Sequence, residues 1–99
     1  TAMAGELGMD VDLEYVPTDG PLSASRLLYS ESPGRFVVTV SSHARDAFEA
    51  CFSNLPIRRI GRVTRDPRFV VRCGSGSPLM DVPVRALKDR WVQPFGGLV

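Results

Sequence analysis

A strand followed directly by an amphipathic helix, in the middle of the chain, most constrains the fold. Residues 35–40 are rich in β-branched and aromatic side chains, so they predict a strand. Ser41 and Ser42 are typical capping residues, and the apolar positions that follow recur with a helical period. Those positions are Ala44, Ala47, Phe48, Cys51, Phe52 and Leu55. A chain with this pairing of elements is expected to pack a helix against one face of a sheet.

The other elements are predicted from alternation, helix formers and turn residues. Helices are expected over residues 1–7 and 22–29, and from Pro83 until Pro94, with Gly8 as the C-cap of the first. Further strands are expected over residues 9–16, 57–64, 68–73 and 79–82. Asp66 and Pro67 predict a hairpin turn between two of them. This mixed order favours an α+β fold, a mixed β-sheet with helices packed on one face.

Bulk properties narrow the class of protein. The chain has 99 residues, which is enough for one small domain or a piece of a larger one, and its hydrophobic content of 43% is typical of globular proteins. The net charge of +1 gives no overall attraction to nucleic acid or membranes. Cys51 and Cys73 are too few for a disulfide framework or a zinc site. Because Cys51 lies on the apolar helical stripe, we expect a buried, reduced thiol and a cytoplasmic protein.

A dense polar stretch, Ser30-Glu31-Ser32-Pro33-Gly34-Arg35, precedes the central strand. Gly34 can adopt a positive φ and expose backbone N–H groups, while serine hydroxyls and a guanidinium can donate to phosphate oxygens. The stretch therefore suits an anion or sugar-phosphate site. The alternative is an ordinary polar turn closed by a Glu31–Arg35 pair, and spacing alone favours that alternative.

Four other groups of residues suggest chemistry, and for each the structural interpretation is favoured. Arginines cluster over residues 58–72 and could bind nucleic acid, although only Phe69 there could stack on a base. The clustered arginines are Arg58, Arg59, Arg62, Arg65, Arg68 and Arg72.

His43 lies near Ser41, Ser42 and Asp46, which suggests a serine–histidine–aspartate triad. Neighbours in a first helical turn point in different directions, so an exposed helix residue is favoured instead. The remaining two groups are the Gly74-Ser75-Gly76-Ser77 loop, which lacks a P-loop lysine, and the alternating acids Asp10, Asp12 and Glu14, which could hold Mg²⁺.

Residues 27–40, LLYSESPGRFVVTV, resemble the "LFSES-x-GR-F" stretch of phosphoribosylformylglycinamidine synthase, large or synthetase subunit, with Tyr29 in place of the usual Phe. Residues 3–13, 48–64 and 87–91 resemble, in order, that family's flanking helix–strand segment, its "F…IG-x-V" unit and its "L…W" helix. The resemblance implies the fold shared with the C-terminal domain of aminoimidazole ribonucleotide synthetase. It also implies that Ser30, Glu31, Ser32, Gly34 and Arg35 lie close to the substrate cleft.

The family is an ATP-dependent ligase of purine biosynthesis, which converts formylglycinamide ribonucleotide to its amidine with Mg²⁺ and ammonia from glutamine. An "HD-x-SDGG" type motif and the ATP-binding domain of the family have no match here. We therefore expect residues 1–99 to form a single, truncated C-terminal domain segment, with no catalytic or metal-binding residue of its own. ATP and Mg²⁺ would bind only the parent enzyme, beside its upstream ATP-binding domain and glutaminase component.

Two further expectations concern partners. A sheet without its first strands leaves an open edge, so the segment is expected to self-associate. The alternative functions are a free-standing interaction module, whose arginine-rich hairpin binds an acidic partner or RNA, and a related synthetase or kinase of the same fold.

Overall fold

The computed structural model describes residues 1–96, which fall into two compact units. Unit 1 joins residues 1–14 to the described residues from 60 onward, and unit 2 comprises residues 15–59. The helices are α1 (Ala2–Gly5), α2 (Ala24–Tyr29), α3 (Arg45–Cys51) and α4 (Val84–Val92). The strands are β1 (Gly8–Asp12), β2 (Gly61–Thr64), β3 (Arg68–Arg72) and β4 (Met80–Pro83).

All four strands form one mixed sheet in unit 1, with the spatial order β2-β1-β3-β4. Strand β1 is antiparallel to β2 and parallel to β3, and β3 is antiparallel to β4. Together with α1 and α4, this sheet confirms the α+β fold class predicted from the order of elements.

The link between β2 and β3 is a crossing, and the predicted hairpin is wrong. Both strands pair with β1, so residues 65–67 pass over the start of β1 at Gly8. A Cβ on Gly8 would collide with the carbonyl oxygen of Asp66 and would lie 2.7 Å from that of Arg68. On the other side of β1, a Cβ on Gly61 would lie 2.9 Å from the Cα of Val11. These two glycines let β1 occupy the centre of the sheet.

The buried core lies within unit 1. Among the described residues, the buried apolar side chains are those of Ala2, Leu13, Val71 and Val84. The amide of Val84 donates to the carbonyl of Pro67 over 2.9 Å, which ties the start of α4 to the crossing link. The Lys88 ammonium joins α4 to Glu6, after α1, over 2.7 Å. Pro83 serves as the N-cap of α4 rather than as its first helical residue.

Unit 2 contains α2 and α3 but no strand, so the predicted central strand is wrong. Residues 35–40 form no strand and all are exposed. A high β propensity alone does not form a strand, because a strand is stabilised by pairing and by packing of its faces. Within unit 2 no residue falls in the buried class.

Several predicted boundaries shift for local reasons. Helix α1 ends at Gly5, and its C-cap is Glu6, which adopts the left-handed conformation with φ 54°. Gly8 is therefore not the C-cap and instead begins β1. Strand β1 ends early because the Asp12 carboxylate accepts the Glu14 amide over 3.0 Å and starts a 3-10 turn. Strand β2 begins only at Gly61, the point where pairing with β1 begins.

The apolar stripe of the central helix is not buried in this structure. Helix α3 ends at Cys51 instead of continuing to Leu55, and Ser41 makes no side-chain capping bond. The rings of Phe48 and Phe52 contact each other at 5.0 Å between centroids. Cys51 is an exposed free thiol, so its predicted burial is wrong. The stripe predicts a helix that faces a core, whereas no residue of unit 2 is buried.

No helix within residues 1–96 is both long enough and apolar enough to cross a membrane.

The close approach of backbone atoms at Gly8 predicts that a larger residue there lowers the stability of the fold. Gly8→Ala should lower the free energy of unfolding by about 1–3 kcal/mol, because the new methyl group meets backbone atoms that have no room to move. Urea denaturation followed by circular dichroism measures the change. Gly5→Ala is the matched control, since a Cβ there meets nothing within 4 Å and alanine favours the helix. Equal stability of the Gly8→Ala and Gly5→Ala proteins would contradict the crossing.

Candidate functional site

The polar stretch Ser30–Arg35 follows α2 in unit 2. Ser30 is the C-cap of that helix, with an extended backbone, and its amide donates to the Arg26 carbonyl over 2.9 Å. A turn at Pro33 and Gly34 comes next, with Gly34 in the left-handed region at φ 77°. The Arg35 amide donates to the Ser32 carbonyl over 3.4 Å and closes the turn. The structure thus presents this stretch as an exposed turn after a helix.

Arg35 is held by the backbone rather than by its neighbouring acid. Its Nη2 donates to the carbonyl of Pro17 over 3.2 Å. Within residues 1–96 Arg35 forms no ion pair with Glu31, so the pairing proposed for an ordinary turn is absent. A guanidinium has five N–H donors, and one neutral carbonyl uses only one of them. Arg35 therefore keeps unused donors and its positive charge, in the same exposed stretch as Ser30 and Ser32, and such groups suit an oxyanion.

Within residues 1–96, two carboxylates form ion pairs with three of the six arginines over residues 58–72. Arg68 Nε lies 2.7 Å from Asp81 Oδ1, across the β3–β4 pair. Asp10, on the central strand, contacts Arg72 at 3.1 Å and Arg62 at 3.9 Å. These pairs are solvent-accessible and add little stability. They support the prediction of a solvated sheet surface over that of a nucleic-acid ribbon.

The alternating acids on β1 are engaged with protein groups. Asp12 accepts the Gly74 amide over 3.0 Å as well as the amide of Glu14. Backbone donation, first from Gly74 and then from Glu14, lowers the pKa of the Asp12 carboxyl below its ordinary value. No group of His, Cys, Asp and Glu side chains in the described part of the chain could hold a metal ion. Asp12 therefore acts as an anchor for the loop that follows β3.

The remaining two candidates also have structural explanations. The Ser41 hydroxyl lies 3.5 Å from His43 Nε2 on an exposed surface, and among residues 1–96 Asp46 does not bond to this histidine. A triad would need that third contact to orient the imidazole. In the glycine-serine loop, Gly74 donates its amide to Asp12, so that N–H is not available to cradle a phosphate.

Sequence reasoning missed one concave feature of unit 2. The sequence predicts that Arg58 and Arg59 lie on a strand, whereas the structure places both beside α3, lining a hollow of about 320 Å³. The residues that line it are Tyr15, Arg45, Glu49, Ile57, Arg58 and Arg59. The i,i+4 pair of Arg45 and Glu49 was visible in the sequence, but its proximity to residues 57–59 depends on where α3 ends.

Comparison with known proteins gives one family and a consistent set of relatives. The family described as AIR synthase related protein, C-terminal domain, matches residues 1–74. A phosphoribosylformylglycinamidine synthase subunit PurL from Bradyrhizobium diazoefficiens is 35% identical over 88 residues, which cover 86% of this chain and 12% of the relative.

Two subunits of the same name come from distant organisms. The Limosilactobacillus fermentum protein is 34% identical over 89% of this chain and 12% of its own length, and the Thermococcus sibiricus protein is 37% identical over 66% and 9%. The chain thus spans only 12% of the length of the Bradyrhizobium and Limosilactobacillus relatives. No solved structure matches the chain.

The lowered pKa of Asp12 makes the stability of the fold depend on pH. A carboxyl whose pKa falls on folding stabilises the fold above its unfolded pKa, and that contribution is lost as the pH falls through the folded value. Asp12→Asn should therefore be less stable than the original chain at pH 7, and the difference should shrink towards about pH 2. Urea unfolding at both pH values measures it. Asp66→Asn is the control, because that carboxylate makes no hydrogen bond within residues 1–96. A pH-independent deficit in Asp12→Asn would contradict the assignment.

Proposed function

The chain belongs to the family of AIR synthase related proteins, as their C-terminal domain, and from that premise we propose that it is a segment of a phosphoribosylformylglycinamidine synthase. That enzyme would be an ATP-dependent ligase of purine biosynthesis, acting on formylglycinamide ribonucleotide. The proposal agrees with the sequence resemblance over residues 27–40 and with curated relatives from three distant organisms.

In this proposal the Ser30–Arg35 stretch contributes one side of the substrate cleft. The observation that carries it is the position of Arg35, exposed and held by the Pro17 carbonyl instead of being neutralised by Glu31. Arg35 would bind the substrate phosphate, and the hydroxyls of Ser30 and Ser32 would donate to phosphate oxygens. Glu31 would accept hydrogen bonds from ribose hydroxyls.

Gly34 has a backbone role in the same cleft. Its positive φ turns the chain, and a side chain at that position would be strained even though a Cβ would meet nothing within 4 Å. The turn would present backbone N–H groups towards a bound anion.

We also propose that the segment is inactive by itself and forms part of a larger domain. The described residues hold no metal-binding group, and unit 2 has no buried residue. ATP and Mg²⁺ would bind elsewhere in the parent enzyme, where an upstream ATP-binding domain would complete the cleft and a glutaminase component would supply ammonia. The parent would work in the cytoplasm, and none of these cofactors would bind the segment alone.

Self-association of the isolated segment follows from its exposed apolar residues. Phe36, Val37 and Val38 are 84%, 65% and 58% exposed, and they lie in a run that has no regular secondary structure and no charged side chain. Such a run, rich in β-branched residues and free of proline, readily pairs with another strand. In the parent enzyme the partner would be the rest of the domain, and in the isolated segment a second copy would take its place.

The phosphate-binding role of Arg35 can be tested by calorimetry with formylglycinamide ribonucleotide. Arg35→Ala should weaken binding by about tenfold or more, because a charge-assisted hydrogen bond to the phosphate is lost. Arg65→Ala, which removes another exposed arginine, should leave the affinity unchanged within about twofold. Equal affinity of the original chain and the Arg35→Ala variant would remove this residue from the site.

The pairing of residues 36–40 can be tested by sedimentation velocity over a range of concentrations. The original chain should form dimers or larger species as its concentration rises, and Val38→Lys should shift it towards monomer, because a charge opposes strand pairing. Leu22→Lys also replaces an exposed apolar residue by lysine, but outside any strand or strand-like run, and serves as the control. A clean monomer at high concentration, or equal effects of the two variants, would refute this self-association.

A further inference from the structure

A hollow in unit 2 concentrates positive charge that the proposed substrate site does not use. Arg45, Arg58 and Arg59 line it together with one acid, Glu49, so the residues that line it include more cations than anions. It shares no residue with the Ser30–Arg35 stretch, so it is a separate feature of the same unit.

Arg45 and Arg58 differ in the contacts that their guanidinium groups make. Arg45 Nε donates to Glu49 Oε1 over 2.9 Å, one helical turn away, which fixes the guanidinium at the wall of the hollow and raises its pKa. Arg58 has no ion-pair or hydrogen-bond partner within residues 1–96. Arg45 therefore has an acidic partner at the hollow, whereas all five N–H donors of Arg58 remain available to a ligand.

The other walls of the hollow are apolar or amphipathic. Ile57 offers an aliphatic surface, and Tyr15 offers an aromatic ring with a phenolic hydroxyl. A volume of about 320 Å³ lies at the small end of the range for ligand sites, so it suits a compact molecule and not a polymer. Planar guanidinium forks match the oxygens of phosphate and bind them bidentately.

We propose that this hollow binds a small phosphate monoester. The dianionic phosphate lies against Arg58 and Arg59 with Arg45 beside it, and its negative charge is opposite to that of the three guanidinium groups. The organic group of the ester packs on Tyr15 and Ile57. Because no residue is shared, the site does not depend on the role assigned to Arg35.

Titration of the isotope-labelled chain, followed by NMR at constant ionic strength, tests the proposal. The probes are inorganic phosphate and phenyl phosphate. Both should shift the resonances of Arg58 and Tyr15 and reach saturation, and phenyl phosphate should bind more tightly because its ring contacts the apolar wall. Arg58→Gln should weaken the binding of both probes by about tenfold or more.

The matched control is Arg26→Gln, which removes the same charge from α2 of the same unit. The affinities of the Arg26→Gln chain for both probes should stay within about twofold of those of the original chain, since general electrostatic attraction between exposed groups is screened by salt. Circular dichroism confirms that both variants keep the fold. Failure of phosphate to saturate, or equal losses in Arg58→Gln and Arg26→Gln, would overturn the proposal.

A further variant separates this site from the proposed substrate cleft. Arg35→Ala should leave the shifts at Arg58 and Tyr15 unchanged. If Arg35→Ala abolishes those shifts, the hollow is not an independent site. If Arg35→Ala loses only ribonucleotide binding, the two sites are distinct and both proposals stand.

Discussion

The insertion of β1 between β2 and β3 is the constraint on which the rest of unit 1 depends. It requires residues 65–67 to cross the start of β1, and Gly8 and Gly61 provide the space for that close approach. The insertion also sets the register that places Asp10 beside Arg62 and Val11 beside Val71. Val71 is thereby buried at the centre of the sheet, and the small core forms around it.

The same central strand organises the charged groups. Asp10 lies between arginines of two neighbouring strands, and Asp12 reaches the loop after β3 at Gly74. Groups that could have held a metal or met nucleic acid are therefore used in supporting the sheet. Both sites that we propose for a ligand lie in unit 2, in the turn at Ser30–Arg35 and in the hollow beside α3.

The sequence predicts the elements whose stability is local or carried by short-range pairing. The β3 strand is predicted to within one residue. The α+β fold class is confirmed, and so is the family that the resemblance over residues 27–40 implies. Prediction fails where the outcome depends on contacts with distant residues. Among residues 1–96, the segment 35–40 has the composition of a strand but forms none, and Cys51 lies on an apolar helical stripe but is exposed. The crossing at Gly8 was missed because Asp66-Pro67 is equally typical of a hairpin turn. The roles of Ser30, Glu31, Ser32, Gly34 and Arg35 remain predictions.

Unit 1 carries a four-stranded sheet, whereas residues 36–40 pair with no strand in the described part of the chain. Hydrogen exchange of the dilute, monomeric chain distinguishes these two states of the backbone. Paired amides in β1 and β3 should be strongly protected, whereas amides in residues 36–40 should not be, because exposed unpaired amides exchange freely. Protection of residues 36–40 equal to that of β3 would contradict this prediction.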